Sequence, residues 1–232
     1  MSPTNCRNIL LLLLCMTSGI VDVIGYLGLG HVFTANMTGN IVLLGLAIGH
    51  SEGLAVLRSA IALTGFTIGT AIAAVIVGRN KEKAFWPTTV TIALCIEGLT
   101  LFAYGCIANP GMNENTTYFL ISLLSFAMGM QTTAARRLSI AGISTTVLTN
   151  NLANVIEDII ASFSLLSRSK TLGNRLSMES ILRISAVIIY CFGAIVGAVA
   201  ENRYPFAIIW VPVSIIAIII LTVLLYFRPK KG

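Results

Sequence analysis

The chain has 232 residues, 56% hydrophobic and 10% charged, with a mean hydropathy of +0.90 and a net charge of +6. Soluble domains carry about 25% charged residues, so this composition has too little polar surface to cover a water-soluble fold and excludes one. The positive excess does not point to nucleic acid, because the basic residues sit in short loops beside apolar stretches, where they orient membrane spans.

A helix that crosses a bilayer takes about 20 mainly apolar residues. The first such stretch is 9–30. Its start, behind Arg7, has signal-peptide character, but the apolar run continues to Leu29 without a small-residue cleavage site, so a retained span is expected. Asp22 lies inside it, between Val21 and Val23. A carboxylate at mid-bilayer costs about 2.5–3.5 kcal/mol on insertion scales. Asp22 is therefore read either as a proton or cation site, or as an acceptor for free N–H groups at a neighbouring helix start. Tyr26, one turn on, is a cavity residue or packing.

The next stretch, 33–49, is apolar but carries Thr34, Asn36, Thr38 and Asn40, with Gly39 to let the backbone bend or a ligand approach. From Thr34 to the residue before His50 a helix spans about 24 Å, short of the roughly 30 Å hydrocarbon core. This stretch is expected to dip into the membrane and return. Its polar side chains either line a ligand site at the positive end of a half-helix, or cap that helix and bond to its neighbours.

Stretches 54–78 and 87–108 read as crossings. Glu97, midway along the second, is a protonation site or a hydrogen-bonded structural group. Stretch 117–136 also crosses. Late in it, Gln131 with Thr132 and Thr133 either lines a cavity opposite Asp22 or packs. Stretch 142–165 repeats the dipping pattern with Thr145, Thr149, Asn150, Asn151 and Asn154. Glu157 and Asp158 follow, with Arg168 and Lys170 as expected partners. The last crossings are 180–200 and 205–227. His31 and His50 are placed at membrane edges. The five cysteines form no CxxC and no His/Cys cluster, which argues against a disulfide framework or a metal site.

The charges choose the topology. If every stretch crossed, Arg79, Lys81, Lys83, Arg136 and Arg137 would lie outside, against the positive-inside rule. If 33–49 and 142–165 dip and return, thirteen of the fifteen Lys and Arg become cytoplasmic, and only Arg58 and Arg203 remain outside. Six crossings in a cell membrane, with both termini cytoplasmic, follow. The chain reads as one membrane domain, 1–232.

Three blocks recur in the same order. Thr34-Ala-Asn-Met-Thr38-Gly-Asn40 matches Thr145-Thr-Val-Leu-Thr149-Asn-Asn151, Gly65-Phe-Thr-Ile-Gly69 matches Gly193-Ala-Ile-Val-Gly197, and Trp86-Pro87 matches Tyr204-Pro205. The halves run over about 8–108 and 117–228. Each holds three crossings, an odd number, so they face opposite ways. The fold class is thus all-α and polytopic: six crossing helices plus two dipping elements in an inverted repeat. The small-residue pairs serve close helix packing within the chain or a homodimer face.

The segment from Gly19 through Asp22, Tyr26, Phe33, Asn36 and Thr38 to Asn40 closely resembles the signature of the YoaK-like family of bacterial membrane proteins, a family of unknown function. Gly129-Met-Gln131, Arg136-Arg137 and Thr145-Thr146 resemble its second motif, with Thr132 and Thr149-Asn150 where family members usually have Asn and Thr-Gly. The resemblance implies a membrane location and a helical fold, and brings no activity or ligand.

Paired interrupted segments in inverted halves are the pattern of many secondary transporters, whose sites lie near midplane. The expected function is therefore a secondary transporter or channel for a small polar solute or ion. The candidate site comprises Asp22, Tyr26, Thr34, Asn36, Thr38, Gly39, Asn40, Gln131, Thr145, Thr149 and Asn151. The alternative is a non-catalytic scaffold or assembly factor. No HExxH, GxSxG or nucleophile–base pair is present, so neither catalysis nor a cofactor is expected.

Overall fold

The computed structural model describes residues 2–50, 53–78, 85–138, 152–157, 160 and 178–227. The fold is all-helical, and among the described residues six helices are long and apolar enough to cross a membrane. The protein is a multi-pass membrane protein, and its solvent is the lipid bilayer.

Helix α1 spans Pro3–Gly28, with Ser2 as N-cap accepting from the Asn5 amide at 3.2 Å and Pro3 in the first turn. It ends in a tight turn in which Gly30 and His31 both have positive φ, 87° and 62°. The short helix α2, Met37–Gly49, follows. Its 13 residues reach only about 20 Å, so it stops short of a crossing, as the sequence predicts. Helices α3 (Gly53–Val77) and α4 (Thr88–Ile107) come next. Trp86 Nε1 donates to Thr91 Oγ1 at 3.1 Å and fixes the entry to α4.

Helix α5, Glu114–Arg137, is capped by Asn113 and carries Glu114 in its first turn and Arg136 and Arg137 in its last, each charge at the end the helix dipole favours. Residues 152–157 and 160 are helical; the rest of the second dipping stretch, with Thr145, Thr149 and Asn151, lies outside the described residues. Helix α6 is Met178–Arg203, and a single 3-10 turn, Ala207–Ile209, leads into α7, Trp210–Tyr226.

Two helix pairs form the frame, α1 with α6 and α3 with α5. At each contact glycine lets one backbone lie directly on the carbonyls of the next. Gly19 meets the Tyr190 carbonyl, and Gly193 the Met16 carbonyl; Gly65 meets Ser122, Gly69 meets Phe126, and Gly129 meets Phe66. In both pairs the residue numbers rise together, so both pairs are parallel. Helices α1 and α3 run oppositely. Arg58 of α3 stands over Gly30 at the end of α1, whereas near Thr70 the neighbouring α5 side chain Gln131 reaches back to Leu14 and Ser18. The small-residue stripes are thus used inside the chain.

Helices α1 and α5 are the innermost spans: 67% of the apolar window of each is buried. Leu10, Leu14, Ile20, Ile24, Leu120, Ile121, Leu124, Met128 and Met130 form the centre of the core. The outer helices turn large apolar side chains outward, including Val75, Leu99, Ile188 and Leu225. In water such a surface would be a liability, and in lipid it is a solvated face.

Candidate functional site at the break between α1 and α2

Asp22 is on the inner face of α1 and only 3% exposed. The chain after α1 folds back so that residues 34–36, just ahead of α2, present their amides to this carboxylate. Asp22 Oδ1 accepts from Thr34 N at 2.8 Å, Ala35 N at 2.6 Å and Asn36 N at 3.3 Å, with the Thr34 hydroxyl at 3.4 Å. Amides at a helix start have no intrahelical partner, and here an acid from another helix supplies one. Asp22 Oδ2 accepts from the Tyr190 hydroxyl of α6 at 2.6 Å. Every partner donates, which is the arrangement an ionised carboxylate takes.

The turn is held by its own side chains as well. Asn36 is the N-cap of α2 and accepts from Gly39 N at 3.2 Å. Asn40, fully buried, accepts from Phe33 N at 2.9 Å and donates to Phe33 O at 2.6 Å, closing the loop like a backbone pair. Gly39 has no Cβ because the Phe33 ring occupies that space, 2.7 Å from where one would stand. Tyr26 stacks on Phe33 with ring centroids 5.2 Å apart and meets His31 edge-on at 5.0 Å. Gly25 lets the returning strand pass close, with Val32 O 2.6 Å from its Cβ position.

The structure therefore brings Asp22, Tyr26, Thr34, Asn36, Gly39 and Asn40 into one cluster. Thr38 is exposed on the outer side of α2 and stands apart from it. Gln131 is not opposite Asp22. Its Nε2 donates to Leu14 O at 3.0 Å and to Ser18 Oγ at 2.7 Å, one to two turns back along α1, and its Oε1 is buried without a partner among the described residues. Helix phase explains this, since Ser18 and Asp22 share a face four residues apart and α5 crosses α1 at the lower of the two. Glu157 is exposed, and Arg168 and Lys170 lie outside the described residues.

Sequence reasoning missed Tyr190 and Ser18. A tyrosine in the middle of an apolar span is a usable signal, since its hydroxyl wants a partner when buried. Among the described residues no group of three or more His, Cys, Asp or Glu could hold a metal ion.

Comparison with known proteins matches this architecture to a family. The model for proteins of unknown function designated DUF1275 matches residues 10–222. The chain is 48% identical over 231 residues, covering 100% of both sequences, to the UPF0700 transmembrane protein YoaK of Bacillus subtilis (strain 168). No solved structure matches it. The chain belongs to the DUF1275 family.

Proposed function

We propose that the protein is a secondary transporter or channel for a small polar solute, with Asp22 coupling a proton to movement of the broken element. The observation that carries this is the double engagement of Asp22: Oδ1 holds the start of α2 and Oδ2 holds Tyr190 of α6. One carboxyl thus ties an interrupted element to a helix more than 160 residues away. A proton added to Oδ2 would place two donors, its own O–H and that of Tyr190, against each other. Tyr190 must then turn, and the tie between α1, α2 and α6 changes.

An inverted repeat fits the packing. Matched helices of the two halves are equally buried: α1 and α5 at 67%, α4 and α7 at 39%, α3 and α6 at 28% and 22%. The second span of each half lies parallel against the first span of the other. With α1 opposed to α3 and α3 parallel to α5, the first helices of the halves point opposite ways. The glycine register pairs Met16 and Ile20 with Ser122 and Phe126, which sets Asp22 against Met128. The acid therefore belongs to one half only. In this arrangement the chain is one membrane domain of the cell membrane with cytoplasmic termini, needs no second copy, and is neither an enzyme nor a cofactor carrier.

Orientation is tested with single cysteines at Lys81 and Glu114 in intact cells and impermeant thiol reagents. Glu114 is expected to label from outside and Lys81 only after permeabilisation. Labelling of both from one side would overturn six crossings.

For transport, the wild type and Asp22→Asn are reconstituted in vesicles and offered small polar solutes under an imposed proton gradient. Wild-type uptake is expected to collapse with an uncoupler, and Asp22→Asn to insert normally but show no uptake. Unchanged uptake in the variant would remove Asp22 from the mechanism. The second reading, a membrane scaffold, is favoured by the completeness of the network around Asp22, Asn36 and Asn40, whose polar groups engage one another. Absence of uptake by the wild type across the panel supports it.

A further inference from the structure

Away from Asp22, the α4–α5 hairpin holds a second acid in a different state. Glu97 is 0% exposed, and among the described residues neither of its carboxyl oxygens has a hydrogen-bond partner. Ser125 of α5 and Tyr104 of α4 are also fully buried, each with an unpartnered hydroxyl. Native buried polar groups are overwhelmingly paired, so a fully buried acid with no partner among the described residues calls for a reason.

The geometry relates them. Glu97 lies ten residues before the end of α4 at Ile107, and Ser125 eleven residues after the start of α5 at Glu114. At 1.5 Å per residue these are depths of about 15 Å and about 17 Å from the short turn joining the helices. The two groups share a level in adjacent antiparallel helices. Glu97, Leu101 and Tyr104, at spacing i, i+4 and i+7, share the inward face of α4. The Tyr104 hydroxyl lies within electrostatic reach of Glu201. Glu201 in turn accepts the Phe206 amide at 3.0 and 3.1 Å in the turn between α6 and α7. Polar groups therefore continue from Glu97 toward one end of the bundle.

Among the described residues no charge is placed to balance Glu97. Among the described residues the elements packed on α4 are α3, α5, α7 and the 3-10 turn Ala207–Ile209. Their ionisable residues are Arg58 of α3, Glu114, Tyr118, Arg136 and Arg137 of α5, and Tyr226 of α7, all near helix ends rather than at the level of Glu97. On α4 itself only Cys95, Tyr104 and Cys106 accompany it. A divalent cation would demand about six oxygen ligands, far more than one acid and its hydroxyl neighbours offer. A single proton meets the need of a single carboxyl, and a serine hydroxyl can donate to the carboxylate or accept from the acid.

We propose that Glu97 is a proton-binding site inside the α4–α5 hairpin, separate from Asp22, with the Ser125 hydroxyl at its level on α5. No solute need move for this to hold, so it stands apart from the transport reading.

The test treats the full chain in lipid vesicles with dicyclohexylcarbodiimide, an apolar reagent that takes the proton of a carboxylic acid and adds its oxygen as an O-acylisourea, whose acyl group then migrates from oxygen to nitrogen to leave a stable N-acylurea. Modified residues are mapped by peptide mass spectrometry across a pH series. Glu97 is expected to be modified, with the extent falling about tenfold per pH unit on the alkaline side of its titration and sodium making no difference. Glu97→Gln is expected to remove that adduct alone. An adduct absent from Glu97 at every pH, one independent of pH, or one suppressed by sodium would overturn the proposal. The wild type decides this even where the variant folds poorly.

Discussion

Asp22→Ala is expected to melt well below the wild type, with a loss of about 3 kcal/mol or more. The substitution strands the amides of Thr34, Ala35 and Asn36 and the hydroxyl of Tyr190 in a buried place, and each orphaned donor costs about 1–3 kcal/mol. Lipid cannot replace them, because it offers no acceptors. Asp22→Asn should lose far less. Its amide oxygen keeps the three backbone donors, and its –NH2 group can donate to the Tyr190 oxygen if that hydroxyl turns. Thermal stability of the purified protein, followed by retention of the monodisperse peak after heating, separates the two. An alanine variant as stable as wild type would show that Asp22 does not hold the start of α2. Because Asn imitates the protonated acid and cannot release the proton, it is also the right variant for uptake.

The second large effect concerns the glycines at the helix contacts. Gly69→Ala puts a methyl onto the Phe126 carbonyl, and Gly129→Ala puts one onto the Phe66 carbonyl. Backbone cannot step aside as a side chain can, so each should cost about 1–3 kcal/mol, as overpacking does in a tight core, with separation of α3 from α5. Gly45 and Gly49 of α2 have nothing within 4 Å of a Cβ position, so alanine there should be neutral or gain up to about 1 kcal/mol from helix propensity. Melting temperatures of the four variants test the contrast. Equal shifts at contact and open positions would mean that the parallel pairs are not held by backbone approach.

The six spans were legible because each is a local property, about 20 apolar residues between polar turns. The same reasoning marked α2 as too short to cross, and Asp22 and Glu97 as charges where lipid makes charge expensive. The roles of the polar residues in 34–40 were only half legible. Asn40 turns inward to close the Phe33 loop while Thr38 faces outward, a difference set by helix phase and not by residue type. Gln131 was read either as facing Asp22 or as packing, and it joins Ser18 one turn away, because the crossing point of α1 and α5 decides what a long side chain reaches.

The amino-acid order alone determined residence in the membrane, the helical class, the interruption after α1 and the two acids worth attention, since hydrophobicity, length and the cost of charge sum along the chain. Only the tertiary structure decided that Tyr190 completes Asp22, that Glu97 has no partner among the described residues, and that α1 lies on α6 and α3 on α5. Those facts depend on which helices become neighbours and on which face each turns inward, and contacts between residues 168 positions apart are not written in any local pattern.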